Sequence, residues 1–124
     1  MPPKSLKTLE DIRDAAEFIF EITAQETLKS YRKNRMLRQA VERNFEIIGE
    51  AVRRLRGRDP ATADNLSHHA QIVSFRNALI HGYDLVDDEL VWDTIKHHLP
   101  RLLAEVQGEM QRLSQGGSAP PSPA

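Results

Sequence analysis

Arg76, Asn77 and His81 carry the groups in this sequence best suited to chemistry. Asn77 and His81 are four residues apart, so on a helix they share a face and an imidazole stands beside an amide. Imidazole titrates at about pH 6.5 and can both take and return a proton, while guanidinium stays charged and forks onto phosphate oxygens. The pair therefore suits phosphodiester chemistry, and neither step requires metal. Arg76 precedes His81 by five residues, about 140° round an ideal helix, so the two meet on one atom only if the helix end distorts or a second chain contributes. Gly82 permits such distortion, and a symmetric dimer would bring two motifs together across its axis. The same spacing also suits a plainer arrangement, with the Arg paired to a carboxylate and the His capping the helix end.

The elements that must hold these residues are helical. Thr8 followed by Asp11 resembles an N-cap, and Ile12, Ala15, Ala16, Ile19 and Ile22 recur at helical spacing, which predicts a first helix over residues 9–25. A short helical or irregular piece, Leu28 to Lys33, leads to Asn34 as the cap of the longest helix. That helix carries Leu37, Val41, Phe45, Ile48, Val52 and Leu55 on one face and should stop near Gly57, before Pro60. After a loop from Arg58 to Asn65, Ile72, Phe75 and Leu79 mark a third helix with the motif at its end. Asp87 or Asp88 can cap a fourth, carrying Leu90, Val91, Ile95, Leu99, Leu102, Leu103 and Val106, which Pro100 should kink or divide. There is no strand pattern of useful length and no internal repeat. Residues 114–124 are rich in Ser, Gly and Pro and read as a disordered C-terminal tail behind a single domain over residues 1–113.

Composition narrows the function classes. With 40% hydrophobic but only 6% aromatic residues, the core must be built from Leu, Ile, Val and Ala, which favours packed helices. The absence of cysteine excludes disulfides, thiolate metal sites and a cysteine nucleophile. No apolar run approaches the roughly 20 residues of a membrane span, and Met1 to Ser5 lack the apolar stretch of a secretion signal, so a cytoplasmic location is expected. The net charge of -1 argues against a globally basic nucleic-acid binder, yet the charges are segregated. Residues 29–58 hold ten basic against three acidic groups, and residues 8–28 one basic against six acidic. The basic stripe, and Arg53, Arg54, Arg56 and Arg58 in particular, could grip an RNA backbone or could simply favour the negative end of a helix. His68-His69 and His97-His98 invite a metal, but adjacent histidines point about 100° apart on a helix, so structural or solvent-facing roles are expected.

Read as Arg76-Asn77-Ala78-Leu79-Ile80-His81-Gly82-Tyr83, the segment matches the pattern R-x4-H-x-Y. Together with Ala40 to Ala51, Ile72 to Asn77, and Val91-Trp92 with Leu99-Pro100, it resembles the HepT-like toxins of the HEPN superfamily over roughly residues 8–105. The resemblance implies an all-α, HEPN-type bundle of four main helices, forming a symmetric homodimer whose two motifs meet at a cleft. It implies an endoribonuclease that works without cofactor or metal, with Arg76 and His81 catalytic, Asn77 supporting them, and a 2′,3′-cyclic phosphate as product. It further implies a toxin-antitoxin module, with RNA as substrate, transfer RNA among the candidates, and an MNT-type nucleotidyltransferase antitoxin that modifies Tyr83 with AMP. Taken alone, Tyr83 also suits a ring packed at the helix end with its hydroxyl on a nearby carbonyl.

Two rival classes remain open from the residues themselves. The same bundle could serve as a non-catalytic module that binds a nucleotide or a nucleotidyltransferase, because fold does not fix function. A helical DNA-binding regulator lacks a recognition-helix pattern.

Overall fold

The computed structural model describes residues 3–67, 72, 75 and 88–116. Within them six helices follow in order: α1 (Pro3–Thr23), α2 (Leu28–Lys33), α3 (Arg35–Arg58), α4 (Pro60–Asp64), α5 (Asp88–His97) and α6 (Leu99–Gly116). All regular structure among the described residues is helical, so the all-α expectation holds, and no helix among them is long and apolar enough to cross a membrane.

The longest element, α3, begins where Asn34 accepts a hydrogen bond from the Leu37 amide at 3.0 Å, satisfying one of the orphan donors of the first turn. Its expected stripe, Leu37, Val41, Phe45, Ile48, Val52 and Leu55, is buried throughout. Against it lies α1, with Leu9, Ile12, Ala16 and Ile19 fully buried. The two run antiparallel, as Ser5 near the start of α1 bonds Asp59 just past the end of α3 and Asp11 pairs with Arg54 at 3.8 Å. Removing a side chain such as Phe45 from this seam would cost about 3–5 kcal/mol.

Tertiary contacts move several boundaries. Helix α1 starts at Pro3 rather than at residue 9, so Thr8 lies within it and its hydroxyl donates to the Lys4 carbonyl at 2.8 Å instead of capping. The extra turn is held by Ser5, buried and donating to the Asp59 carboxylate at 2.9 Å. Helix α3 runs through Gly57 to Arg58, and Asp59 serves both ends of the junction. Its amide donates to the Leu55 carbonyl, while its carboxylate accepts from the Thr62 amide and hydroxyl and so caps α4, which occupies the expected loop with Pro60 at its first position. Helix α2 is fully helical because Thr27 and Ser30 form a capping box.

The fourth predicted helix is divided at His98, two residues before Pro100, into α5 and α6. Val91, Ile95, Leu99, Leu102 and Val106 are buried as expected, but Leu90 is 47% exposed, and Thr94 joins the buried side in its neighbourhood. Asp88 is the first residue of α5 rather than its cap, while Asp87 lies outside the described residues. Helix α6 continues past Leu113 to Gly116, with Leu113 buried and the Ser114 hydroxyl donating to the Met110 carbonyl at 2.6 Å. Residues 117–124 of the expected tail lie outside the described residues.

Two carboxylates should give opposite pH signatures. Burial alone would push Asp59 up, but hydrogen bonds from Thr62 and Ser5 and the charge of Arg112 outweigh it and hold the carboxyl below its usual 3.8. Its contribution is present above that pH and lost as pH falls through the folded value, so Asp59→Ala should cost about 1–2 kcal/mol at pH 7 by denaturant melt, with a smaller gap in acid. Glu42 is pushed above 4.5 by burial and by nearby Asp88, against the pull of Arg38. The folded chain then keeps that proton longer, which favours folding at low pH and ceases to as pH rises through the folded value. Glu42→Gln should therefore melt higher than wild type at pH 7 and alike at pH 4; equal melting at both would contradict the shift.

Candidate active site

Arg76, Asn77, His81 and Tyr83 lie outside the described residues, as do Leu79, Gly82 and the pair His68-His69. The structure places what brackets them. Ile72 is helical and buried, and Phe75, also helical, meets Phe45 edge to face with ring centroids 5.0 Å apart and planes at 77°. Such a pair adds about 0.5–1.5 kcal/mol beyond burial and permits few ring orientations. The residue immediately before Arg76 is thus anchored at the middle of α3.

The turn that leads toward this anchor is tied to α6. The Ser67 amide donates to Glu105 at 3.0 Å, and the Ser67 hydroxyl bonds the same carboxylate. Asn65 donates to Glu109 at 2.9 Å, and Arg112 bridges Glu109 at 2.7 Å and the Thr62 hydroxyl at 3.2 Å. Burial would push Glu109 up, but the bonds from Arg112 and Asn65 win and its carboxyl sits below the usual 4.5. Sequence reading missed these tethers, since Glu105 and Glu109 lie nearly forty or more residues from their partners and no local pattern links them.

On the other side, α5 opens five residues after Tyr83 and packs on α2. Tyr31 is fully buried against Trp92, with ring centroids 5.4 Å apart, Lys96 lies over the Trp92 ring at 4.9 Å, and Arg32 pairs with Glu89 at 3.6 Å. Burial pushes the Tyr31 phenol far up, with Glu42 and Asp88 adding to it, so this tyrosine stays neutral and does not serve as a base. Its hydroxyl has no hydrogen-bond partner among the described residues. Glu42 is half-buried, and burial, with the charge of Asp88 at the start of α5, pushes its carboxyl up.

A cleft of about 440 Å³ opens between α1 and α3, lined by Asp11, Asp14, Arg43, Glu46, Glu50 and Arg54 among others. Its arginines are partnered within it, Arg54 with Asp11 and Arg43 with Glu46 at 3.5 Å, so it offers phosphate little free positive charge. His97 and His98 both approach Asp93, each at 3.7 Å and on different oxygens. Among the described residues no three His, Asp or Glu side chains gather as a metal-binding group.

The chain is similar to proteins named as ribonucleases. The family model described as "Ribonuclease HepT-like" matches residues 12–108. "Putative RNase MJ1380" of Methanocaldococcus jannaschii is 34% identical over 99 residues, covering 80% of this chain and 90% of that protein. "Putative RNase TTE0752" of Caldanaerobacter subterraneus subsp. tengcongensis is 31% identical over 104 residues, 84% of this chain and 92% of its own. "Probable ribonuclease HepT" of Thermococcus cleftensis is 30% identical over 105 residues, 85% and 91% respectively. No solved structure matches the chain. With the family model spanning most of the helical frame, the motif segment included, the chain belongs to the HepT-like ribonucleases of the HEPN superfamily and is an endoribonuclease.

Proposed function

We propose that the chain is the toxin ribonuclease of a toxin-antitoxin module, cutting RNA at a metal-independent site built from Arg76 and His81. The observation that carries this reading is the intact Arg76, His81 and Tyr83 pattern inside the family-matched segment, directly after the anchored Phe75. His81 takes the proton of a ribose 2′-hydroxyl as its oxygen attacks the adjacent phosphorus, and the bond to the 5′-oxygen breaks with a proton returned to it. Arg76 stabilises the charge that builds on the phosphoryl oxygens, and Asn77 steadies the imidazole. The products are a 2′,3′-cyclic phosphate and a 5′-hydroxyl. DNA lacks the nucleophile and is spared. A homodimer supports the geometry, because two motifs facing across a two-fold axis bring together an Arg and a His that stand about 140° apart on one helix.

Control falls to Tyr83. In this reading a partner nucleotidyltransferase of MNT type joins its phenolic oxygen to the α-phosphorus of ATP and releases pyrophosphate. The added AMP puts bulk and negative charge where RNA phosphates must approach, and blocks the site without unfolding it.

Total cellular RNA incubated in EDTA with unmodified protein should be cut, leaving 2′,3′-cyclic ends, and His81→Ala should lose about 10²- to 10⁴-fold of the rate. No cutting by a wild type whose Tyr83 is bare by mass spectrometry would leave the chain a non-catalytic binding module. Co-expression with the cognate nucleotidyltransferase should raise the intact mass by one or more AMP groups, and Tyr83→Phe should abolish the gain; an unchanged wild-type mass would count against this control.

A further inference from the structure

We infer that the exposed arginine face closing α3, made by Arg53, Arg56 and Arg58 around Gly57, is a subsite for the RNA backbone remote from the bond that is cut. It rests on the ribonuclease reading above. The three arginines are exposed and make no ion pair or hydrogen bond among the described residues. Of the other arginines of α2 and α3, Arg32 pairs with Glu89, Arg43 with Glu46, Arg54 with Asp11 and Arg38 with the Arg32 carbonyl, while Arg35 stands apart at the opposite end of α3, exposed and without a partner among the described residues. The nearby carboxylates are also committed elsewhere, Asp59 to Ser5 and Thr62, and Asp11 to Lys7 and Arg54. Arg53, Arg56 and Arg58 thus gather three solvent-facing guanidinium groups within six residues, on a chain whose net charge is -1.

Gly57 gives the face its shape. It lies about 40° round the helix from Arg53, with Arg56 and Arg58 about 100° to either side. The helix runs through it without entering the left-handed region, and a Cβ added there would meet nothing within 4 Å. Neither a cap nor packing calls for glycine, although glycine weakens a helix. Its missing side chain leaves bare backbone beside Arg53, with Arg56 and Arg58 on its two flanks, where a phosphate can approach closely.

The helix dipole alone does not account for the cluster. Cations are favoured in a last turn, which suits Arg56 and Arg58 as it does the basic ends of α2 and α5, but Arg53 precedes that turn. The placement suits a substrate that extends beyond the motif. Phe75, the residue before Arg76, packs edge to face on Phe45, and Arg53 to Arg58 follow Phe45 by 8 to 13 residues, or about 12–20 Å along α3. At one phosphate per 3.4 Å of helical strand, that span corresponds to about four to six phosphates. Long RNA would reach the face and very short RNA would not.

The test is fluorescence anisotropy of the full chain with labelled 2′-O-methyl RNAs of 20 and 4 nucleotides, which bind but cannot be cut, across a salt series. The Arg53→Ala, Arg56→Ala, Arg58→Ala triple variant should bind the 20-mer at least 10-fold more weakly at low salt, lower the salt slope by about 2, and leave the 4-mer unchanged. Gly57→Glu, which adds a carboxylate in open space, should also weaken the 20-mer while circular dichroism stays helical and melting falls no lower than in wild type. A wild type that cuts RNA beside a triple variant with wild-type affinity and slope overturns the subsite alone. Intact RNA affinity with loss of the partner nucleotidyltransferase would make the face a protein-docking surface and likewise overturn it. A wild type that neither binds nor cuts RNA overturns the ribonuclease reading, and the subsite with it.

Discussion

The buried stripe of α3 from Leu37 to Leu55 is the surface on which the rest of the chain is assembled. Helix α1 closes it on one side, and Phe75 docks on it through Phe45. An apolar seam of this kind is close-packed and resists small displacements, so whatever is attached to it inherits its rigidity. The motif begins one residue after such an attachment. In the proposed mechanism an arginine must approach phosphate within hydrogen-bond distance, and a neighbour that cannot slide favours that.

Carboxylates act as joints at the periphery of this core. Asp59 ends α3, starts α4 and holds the first turn of α1, while Glu105 and Glu109 tie the 65–67 turn to α6. Each accepts several hydrogen bonds, which stabilises the charged form more than partial burial penalises it, and the downward titration of Asp59 and Glu109 follows. Glu42 is the contrary case. It has burial and a like charge at Asp88 without comparable bonds, so its titration rises, and the buried Tyr31 hydroxyl lacks a partner among the described residues. The start of α5 therefore sits on polar groups that are less well satisfied than those at the other joints.

Charge is distributed by the same economy. Where α1 faces α3, opposite charges meet, as in Arg54 with Asp11, and the cleft between them is internally balanced. Past that contact α3 projects three arginines with no counterpart, and the field there is positive despite the overall charge of -1. A mean charge conceals such a surface, since exposed charges act over about a Debye length rather than over the whole molecule.

Sequence by itself determined the helical class, the α3 stripe, the Asn34 cap, the division near Pro100 and the likeness to HepT-like ribonucleases that the family match over residues 12–108 bears out. These depend on local periodicity, on the chemistry of one side chain, or on a short pattern, and each can be read within a few residues. Only the tertiary structure decided that α1 begins at Pro3, that α3 passes through Gly57, that Leu90 faces outward, and that Glu105 and Glu109 hold the turn before the motif. Their causes lie in partners far along the chain, 54 residues away for Ser5 and Asp59. A hydrogen bond of that span can add a turn or override a breaker, and no local propensity encodes it, because its free energy exists only once the two helices are packed.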